Sequence, residues 1–177
     1  MRVERVLGSK RLEEIKAIYY ASFPKEEQMP FGLMLAMSCL WHTQFLAFYE
    51  GETLCGFVYM ATQGRQSFIM FFAVEEKLRS KGYGSRILSE IQALYPQNKL
   101  IVSIEPCVEC GEDITMRIKR KAFYLRNGYQ ETGYFMKLGG QEQEILIKNG
   151  LFDKRQFIRF FMLYSCCTTI PKIWTVK

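Results

Sequence analysis

The sequence predicts a mixed fold of strands and helices (α+β, α/β), and two observations carry that reading. The first is a succession of short apolar runs, rich in aromatic and branched residues and bounded by turn residues, which is the signature of strands. The second is that segments with apolar residues at every third or fourth position interrupt those runs, which is the signature of helices packed on a sheet.

In chain order, Arg2 to Leu7 reads as a strand. Lys10 to Ala21 places Leu12, Ile15, Ile18 and Tyr19 on one face of a helix, and Ser22-Phe23-Pro24 ends it. Phe31 to Leu40 is a second, mostly apolar helix. Phe45 to Tyr49 and Leu54 to Thr62 are strands joined through Glu50-Gly51-Glu52, a hairpin signal. Gln66 to Val74 is a fourth strand, with Gly64 marking the turn before it. A helix that starts at Gly82 and Gly84 carries Ile87, Leu88, Ile91 and Leu94 inward, and runs to about Tyr95 before Pro96-Gln97-Asn98 stops it. Leu100 to Glu105 is a short buried strand closed by Pro106. Thr115 to Arg126 is a helix, with Asn127-Gly128 as its C-cap. Tyr129 to Leu138 and Glu144 to Lys148 are the last expected strands, and Asp153 opens a final helix through Tyr164. No linker, repeat or low-complexity tract divides the chain, so residues 1–177 read as a single domain with an undefined tail from about residue 165.

Composition narrows the class. A chain of 177 residues, 49% of them hydrophobic, is long enough to bury a core. No segment is long and uncharged enough to span a bilayer, and no apolar stretch follows Met1-Arg2-Val3 as a signal peptide would need. The cysteines, Cys39, Cys55, Cys107, Cys110, Cys166 and Cys167, are scattered, so a reducing cytoplasm with free thiols is expected rather than a disulfide frame. The net charge of +6 suits an anionic ligand.

The most informative stretch runs from Phe72-Ala73-Val74 through Arg79-Ser80-Lys81-Gly82-Tyr83-Gly84-Ser85 into the helix beyond. Here a strand passes through a basic, glycine-containing turn into a helix N-terminus. The first N–H groups of a helix lack internal partners and the helix dipole favours negative charge there. Glycine lets backbone approach an anion closely, and Arg79, Lys81 and Arg86 supply positive charge. The turn is therefore read as a phosphate cradle. A P-loop would need Lys and Ser/Thr directly after its glycine, and a dinucleotide fingerprint would need glycine where Ile87 stands.

The remaining pattern, Arg79-x-x-Gly82-x-Gly84 between a hydrophobic strand and an amphipathic helix, resembles the acyl-CoA pyrophosphate loop of the GCN5-related N-acetyltransferase (GNAT) superfamily. The order of elements over nearly the whole chain is similar to that family's. The resemblance implies a mixed, mostly antiparallel central sheet of about seven strands, helices on both faces, and a splay between strands 4 and 5. It implies acetyl-CoA as co-substrate, with pantetheine on the backbone of Phe72, Ala73 and Val74 and pyrophosphate on Arg79, Ser80, Lys81, Gly82, Tyr83, Gly84 and Ser85. Ala122-Phe123-Tyr124 through Gly128-Tyr129 resembles the family segment whose tyrosine protonates the departing thiolate, which makes Tyr124 the expected general acid. Relatives often carry asparagine seven residues before that tyrosine, where this chain has Arg117; Arg117 or Lys121 would then meet a phosphate.

The acceptor amine must lose a proton. Glu105, at the end of the fifth strand with apolar neighbours Ile104 and Pro106 to desolvate it, is the expected base. Glu26 and Glu27 follow Phe23-Pro24 as acidic residues do in the acceptor loop of small-amine relatives, and are alternatives that bind the ammonium or relay its proton. The expected activity is direct attack of a primary amine, on a small molecule or peptide, at the thioester. A non-catalytic acyl-CoA-sensing domain is the alternative, and a basic RNA-binding module, suggested by Arg117 to Lys121, is a third. No metal is expected, because Cys107-x-x-Cys110 lacks a second ligand pair. His42 reads as a polar core or surface residue. Phe157, Phe160, Phe161 and Tyr164 either cover the core or form a homodimer surface. Nucleic acid and membrane are not expected as partners.

Overall fold

The computed structural model describes residues 1–40, 42–107, 114–138, 140–165 and 170–175. The chain forms two compact units, Met1–Thr62 with Phe68–Pro96, and Gln63–Ser67 with Gln97–Lys177.

The first unit holds β1 (Arg2–Arg5), α1 (Leu12–Ser22), α2 (Phe31–Met37), β2 (Thr43–Glu50), α3 (Tyr83–Leu94), and most of β3 (Thr53–Gln63) and β4 (Gln66–Val74), short of the residues at the turn between them. β1 pairs antiparallel with β2, and β2 with β3, setting Phe45 opposite Tyr59. Helix α1 exists because Ile15, Ile18 and Tyr19 recur on one side and are buried there. It stops because Pro24 denies helical dihedrals to the residue before it, and Phe23 is extended at φ −126° and ψ 135°. The buried side of α1 joins an aromatic core in which the Tyr19 ring meets Phe31, Phe57 and Phe71 at centroid distances of 5.9, 6.1 and 5.3 Å. Such tilted and edge-on pairs add to the burial of their large apolar surface.

The second unit holds β5 (Lys99–Ile104), α4 (Ile114–Arg126), β6 (Gln130–Leu138), β7 (Gln141–Lys148), α5 (Lys154–Tyr164) and β8 (Lys172–Thr175). β7 lies between β5 and β6, and β8 runs along the far side of β6, every pair antiparallel. Helix α5 begins where expected: Asp153 is its N-cap and accepts from the N–H groups of Arg155 and Gln156 at 2.9 and 3.1 Å. Its Phe157, Phe160 and Phe161 are buried, so this aromatic stripe covers the core.

The fold class is the expected mixed one. Eight strands stand among the described residues where about seven were read, because residues beyond 165 contribute β8. That segment is only Lys172-Ile173-Trp174-Thr175, too short to announce itself by alternation, and it is held by pairing with β6 and by Trp174 stacking on Phe135. The helix ends also shift: α2 closes at Met37 rather than Leu40, as Ser38, Cys39 and Leu40 donate to carbonyls three residues back in a tightened last turn. Cys110, half of the Cys-x-x-Cys pair, lies outside the described residues, as do Cys166 and Cys167.

One contact shapes the end of β4. Gly56 on β3 passes so near the strand end that a Cβ there would sit 2.2 Å from the Ala73 carbonyl oxygen and 3.0 Å from the Val74 Cα. Backbone, unlike a flexible side chain, has nowhere to move. Gly56→Ala should therefore destabilise the protein by about 2–3 kcal/mol, read in a melting experiment as a Tm lower by roughly 5–10 °C. An unchanged Tm would show that the two strands are not held this closely.

Candidate functional site

In the first unit the site begins where β4 ends. Phe71 and Ala73 turn into the core, while Phe72 and Val74 are half-buried. Backbone pairing continues one residue past the strand, with the Glu75 N–H donating to the Cys55 carbonyl at 2.9 Å. A 3-10 turn over Glu76–Leu78 then leads to Arg79. Two left-handed residues follow, Ser80 at φ 61° and Gly82 at φ 84°. Ser80 holds a conformation costly to a residue with a Cβ, and Gly82 holds it freely. Left-handed residues set into such a turn gather backbone N–H groups into an anion-binding concavity.

Gly82 is the N-cap of α3, and no side chain caps that helix. Its first internal hydrogen bond runs from the Arg86 N–H to the Gly82 carbonyl at 3.1 Å. The N–H groups of Tyr83, Gly84 and Ser85 thus start the helix without an acceptor inside it. Two other helices treat their N-termini differently, α5 with Asp153 and α1 with Glu13 and Glu14 in its first turn, whereas α2 and α4 carry no acid there. The first turn of α3 contains no acid at all. Tyr83, Gly84 and Ser85 are half-buried, and Arg79, Ser80, Lys81 and Gly82 are exposed.

The cations of this turn divide in a way the sequence does not reveal. Arg79 donates from Nε to the Val74 carbonyl at 3.3 Å and from Nη2 to the Ser22 hydroxyl at 3.2 Å. It braces the loop against the end of β4 and the end of α1. Arg86 grips both oxygens of Glu50, at 2.8 Å for Nη2, and lies over the Tyr83 ring. The positive field of both remains, while two nitrogens of each are engaged with the frame. Lys81 is exposed at the centre of the turn.

The loop between α1 and α2 carries Glu26, exposed, and Glu27, half-buried, in a 3-10 turn over Lys25–Glu27. The loop is pinned from below by the Tyr19 hydroxyl, which donates to the Met29 carbonyl at 3.0 Å and accepts from the Met29 N–H at 2.7 Å. Burial pushes the Tyr19 phenol up to about 12, so it stays a neutral two-way partner.

In the second unit, Glu105 follows β5 directly and faces α4. Arg120 bonds its Oε2, and Arg117 places Nε 3.9 Å from its Oε1 while donating to the Pro106 carbonyl at 3.4 Å. The side chain keeps 31% of its exposure. Glu105 is therefore flanked not only by Ile104 and Pro106, as expected, but by two guanidiniums from α4. Oε1 has only the looser contact, with Arg117.

Arg117 and Lys121, expected near a phosphate, both face carboxylates here. Lys121 donates to both oxygens of Glu144, at 2.9 and 3.0 Å, and also to Glu131. Burial alone would lower the Lys121 ammonium, but the two carboxylates outweigh it and leave it raised. Glu144 is itself buried, at 5% exposure, where β7 turns from its polar half into the buried Ile145-Leu146-Ile147. Sequence reading missed this cluster, although an acid heading the run Ile145-Leu146-Ile147 is a signal that something must pair with it.

Tyr124 stands on the face of α4 that carries Arg117 and Arg120 and is buried. Burial pushes its phenol up to about 12, against the opposing pull of the Arg120 charge. At neutral pH it is therefore a protonated group that can donate. Helix α4 closes on Gly128, at φ 84°, with the Tyr129 N–H bonded to the Tyr124 carbonyl at 3.1 Å and the Gly128 N–H to the Leu125 carbonyl at 3.0 Å. That paired pattern brings the residue after the glycine back over the last helical turn. The Tyr129 ring accordingly meets the Tyr124 ring edge-on at 5.3 Å. The Tyr129 hydroxyl is buried and has no hydrogen-bond partner among the described residues. A buried hydroxyl left so costs about 1–3 kcal/mol. Glu105 and Tyr124 are thus tied into one cluster through Arg120, and the turn at 79–85 is a second cluster in the other unit.

A family model described as an acetyltransferase (GNAT) domain matches residues 41–131. No curated protein sequence matches the chain. Among solved structures, the chain is similar to a GNAT-family protein from Bacteroides thetaiotaomicron, with 19% identity over 92% of this chain and 96% of that one and a TM-score of 0.75. It is also similar to an aminoglycoside 6'-N-acetyltransferase solved with coenzyme A, at 13% identity, 84% and 96% coverage and a TM-score of 0.64. The ribosomal-protein-S18-alanine N-acetyltransferase of Escherichia coli matches at 12% identity, 86% and 96% coverage and a TM-score of 0.60.

The buried tyrosine leaves a pH signature of its own. With the folded phenol raised to about 12 from its ordinary 10, both states are neutral below pH 10, and only the unfolded chain ionises between pH 10 and 12. Stability should fall across that window. Urea unfolding at a series of pH values should show Tyr124→Phe escaping roughly 2–3 kcal/mol of the fall. Parallel curves for the two proteins would mean that the phenol is not buried as described.

Proposed function

The chain belongs to the GNAT acetyltransferase family, and on that premise we propose that it transfers an acetyl group from acetyl-CoA to a primary amine. The observation that carries the proposal is the N-terminus of α3, which starts on a left-handed glycine with no cap and no acid in its first turn. An anion is what such a terminus lacks. In this reading Arg79, Ser80, Lys81, Gly82, Tyr83, Gly84 and Ser85 hold the pyrophosphate of acetyl-CoA through their N–H groups, with Lys81 adding charge from solvent. The backbone of Phe72, Ala73 and Val74 takes the pantetheine amides, and the N–H of Phe72 or Ala73 holds the oxyanion.

The amine lone pair attacks the thioester carbon, the C–S bond breaks, and Tyr124 protonates the departing sulfur. The proton lost by the amine passes through water to Oε1 of Glu105, which Arg117 and Arg120 hold in place. Glu26 and Glu27 would bind the ammonium on the acceptor loop. Residues 1–177 act as one domain in this proposal, in the cytoplasm, with no metal and no nucleic-acid partner. No helix of the described residues is long and apolar enough to cross a membrane. Both a small amine and a peptide amine remain within the proposal, since similar structures bear the names of an aminoglycoside and of a ribosomal-protein acetyltransferase.

Thiol release from acetyl-CoA over a panel of amines tests the activity, and a folded protein that binds acetyl-CoA without releasing thiol would instead be a sensor. Tyr124→Phe should lower kcat about 10²-fold at every pH, with acetyl-CoA affinity nearly unchanged. Glu105→Gln should slow the reaction most at low pH and recover as the free amine, of pKa about 10, becomes abundant. A flat response to Glu105→Gln, with a shifted profile for Glu26→Gln or Glu27→Gln, would move the base to the acceptor loop.

A further inference from the structure

Tyr129 satisfies every packing demand of its position with its ring alone. It closes the C-terminal motif of α4, stands edge-on to Tyr124 with an interplanar angle of 72°, and is 2% exposed. A phenylalanine would do all of this without bringing a hydroxyl into the interior. Yet the hydroxyl is there, without a partner among the described residues, beside the one phenol that gives up a proton in the proposed reaction. Buried polar groups are paired as a rule, and an exception next to a reacting group calls for a partner that arrives with the reaction.

We propose that the Tyr129 hydroxyl donates a hydrogen bond, directly or through one water, to the Tyr124 oxygen while that oxygen is without its proton. This inference rests on the reading of Tyr124 as the acid. When the C–S bond breaks and the sulfur takes the Tyr124 proton, a negative oxygen is left in a buried place. It persists until a proton, supplied through solvent from the one that Glu105 took from the amine, reaches it. Throughout this interval Tyr129 neither gains nor loses a proton; it supplies a dipole. Burial, and then the nearby Tyr124, both push the Tyr129 phenol upward, so it remains a donor at the moment it is needed. Arg120, the charged group that acts on Tyr124, is already held by Glu105. Tyr129 is thus a positioning and supporting residue, acting on the acid rather than on the substrate.

The test is Tyr129→Phe in the full chain, with acetyl-CoA and a set comprising tyramine, spermidine, kanamycin and an alanine-terminated peptide. Should none of these be taken, thiol release into water is read instead. The expected result is a kcat lower by about tenfold with the acetyl-CoA KM within about twofold. The Tm should be unchanged or higher, since an unpaired hydroxyl leaves the interior. Placed on Tyr124→Phe, the same change should cost nothing more, because there is no oxygen left to support. Wild-type turnover in Tyr129→Phe, an equal further loss on the Tyr124→Phe background, or a lowered Tm would each overturn the inference, the last by showing the hydroxyl paired within the fold. Normal turnover in Tyr124→Phe would remove the reading of the acid itself, whereas an impaired Tyr124→Phe beside a normal Tyr129→Phe sinks only the role of Tyr129.

Discussion

The chain has to leave a buried strand, turn through residues 75–82 and start a helix with one buried face, and it does so while leaving the first N–H groups of that helix without a capping side chain. The rest of the account depends on this. Ile87, Leu88 and Ile91 fix α3 to the core, and Phe71 and Ala73 fix β4, so the turn cannot relax by moving either element. Gly82 absorbs the left-handed conformation, and Arg79 ties the turn to Val74 and Ser22. The result is a rigid frame around backbone donors. Rigidity matters because donors already in place lose little freedom when an anion arrives. An arginine given over to bracing does more here than one waving in solvent.

The second unit solves a different problem, that of keeping charge inside without instability. Glu144 enters the interior on β7, and Lys121 meets both its oxygens from α4. Such pairs seldom add much stability, because both ions forfeit water. What they do is fix geometry: α4 is held to β7 one turn ahead of Tyr124, and to Glu105 through Arg120. The C-terminal motif at Gly128 then sets Tyr129 against Tyr124. In the proposed role Tyr124 donates from a buried position, which calls for a helix held in place, and these contacts hold it.

Much of this was legible in the sequence wherever the signal is local. Gln66–Val74 has the bounds its aromatic and branched residues suggest, α3 begins at its glycines, and Asp153 caps α5. Periodicity, glycine and caps act over a few residues and leave their mark there. What was not legible depends on partners far along the chain. Glu105 looked apolar-flanked because Ile104 and Pro106 adjoin it, whereas its actual neighbours, Arg117 and Arg120, come from the next helix. The Lys121 and Glu144 pair joins elements of different register, and the close pass of Gly56 at Ala73 is a matter of strand packing. β8 was missed because four residues are too few to show alternation, and pairing with β6 supplies what the pattern does not.

The claim on which the rest stands is that the start of α3 holds the pyrophosphate of acetyl-CoA. Isothermal titration of the full chain with acetyl-CoA and with acetyl-pantetheine, which has the thioester and its amides but no pyrophosphate, addresses it directly. The account predicts that acetyl-CoA binds about a hundredfold more tightly, and that added salt narrows the difference. Equal affinity for the two ligands would contradict it.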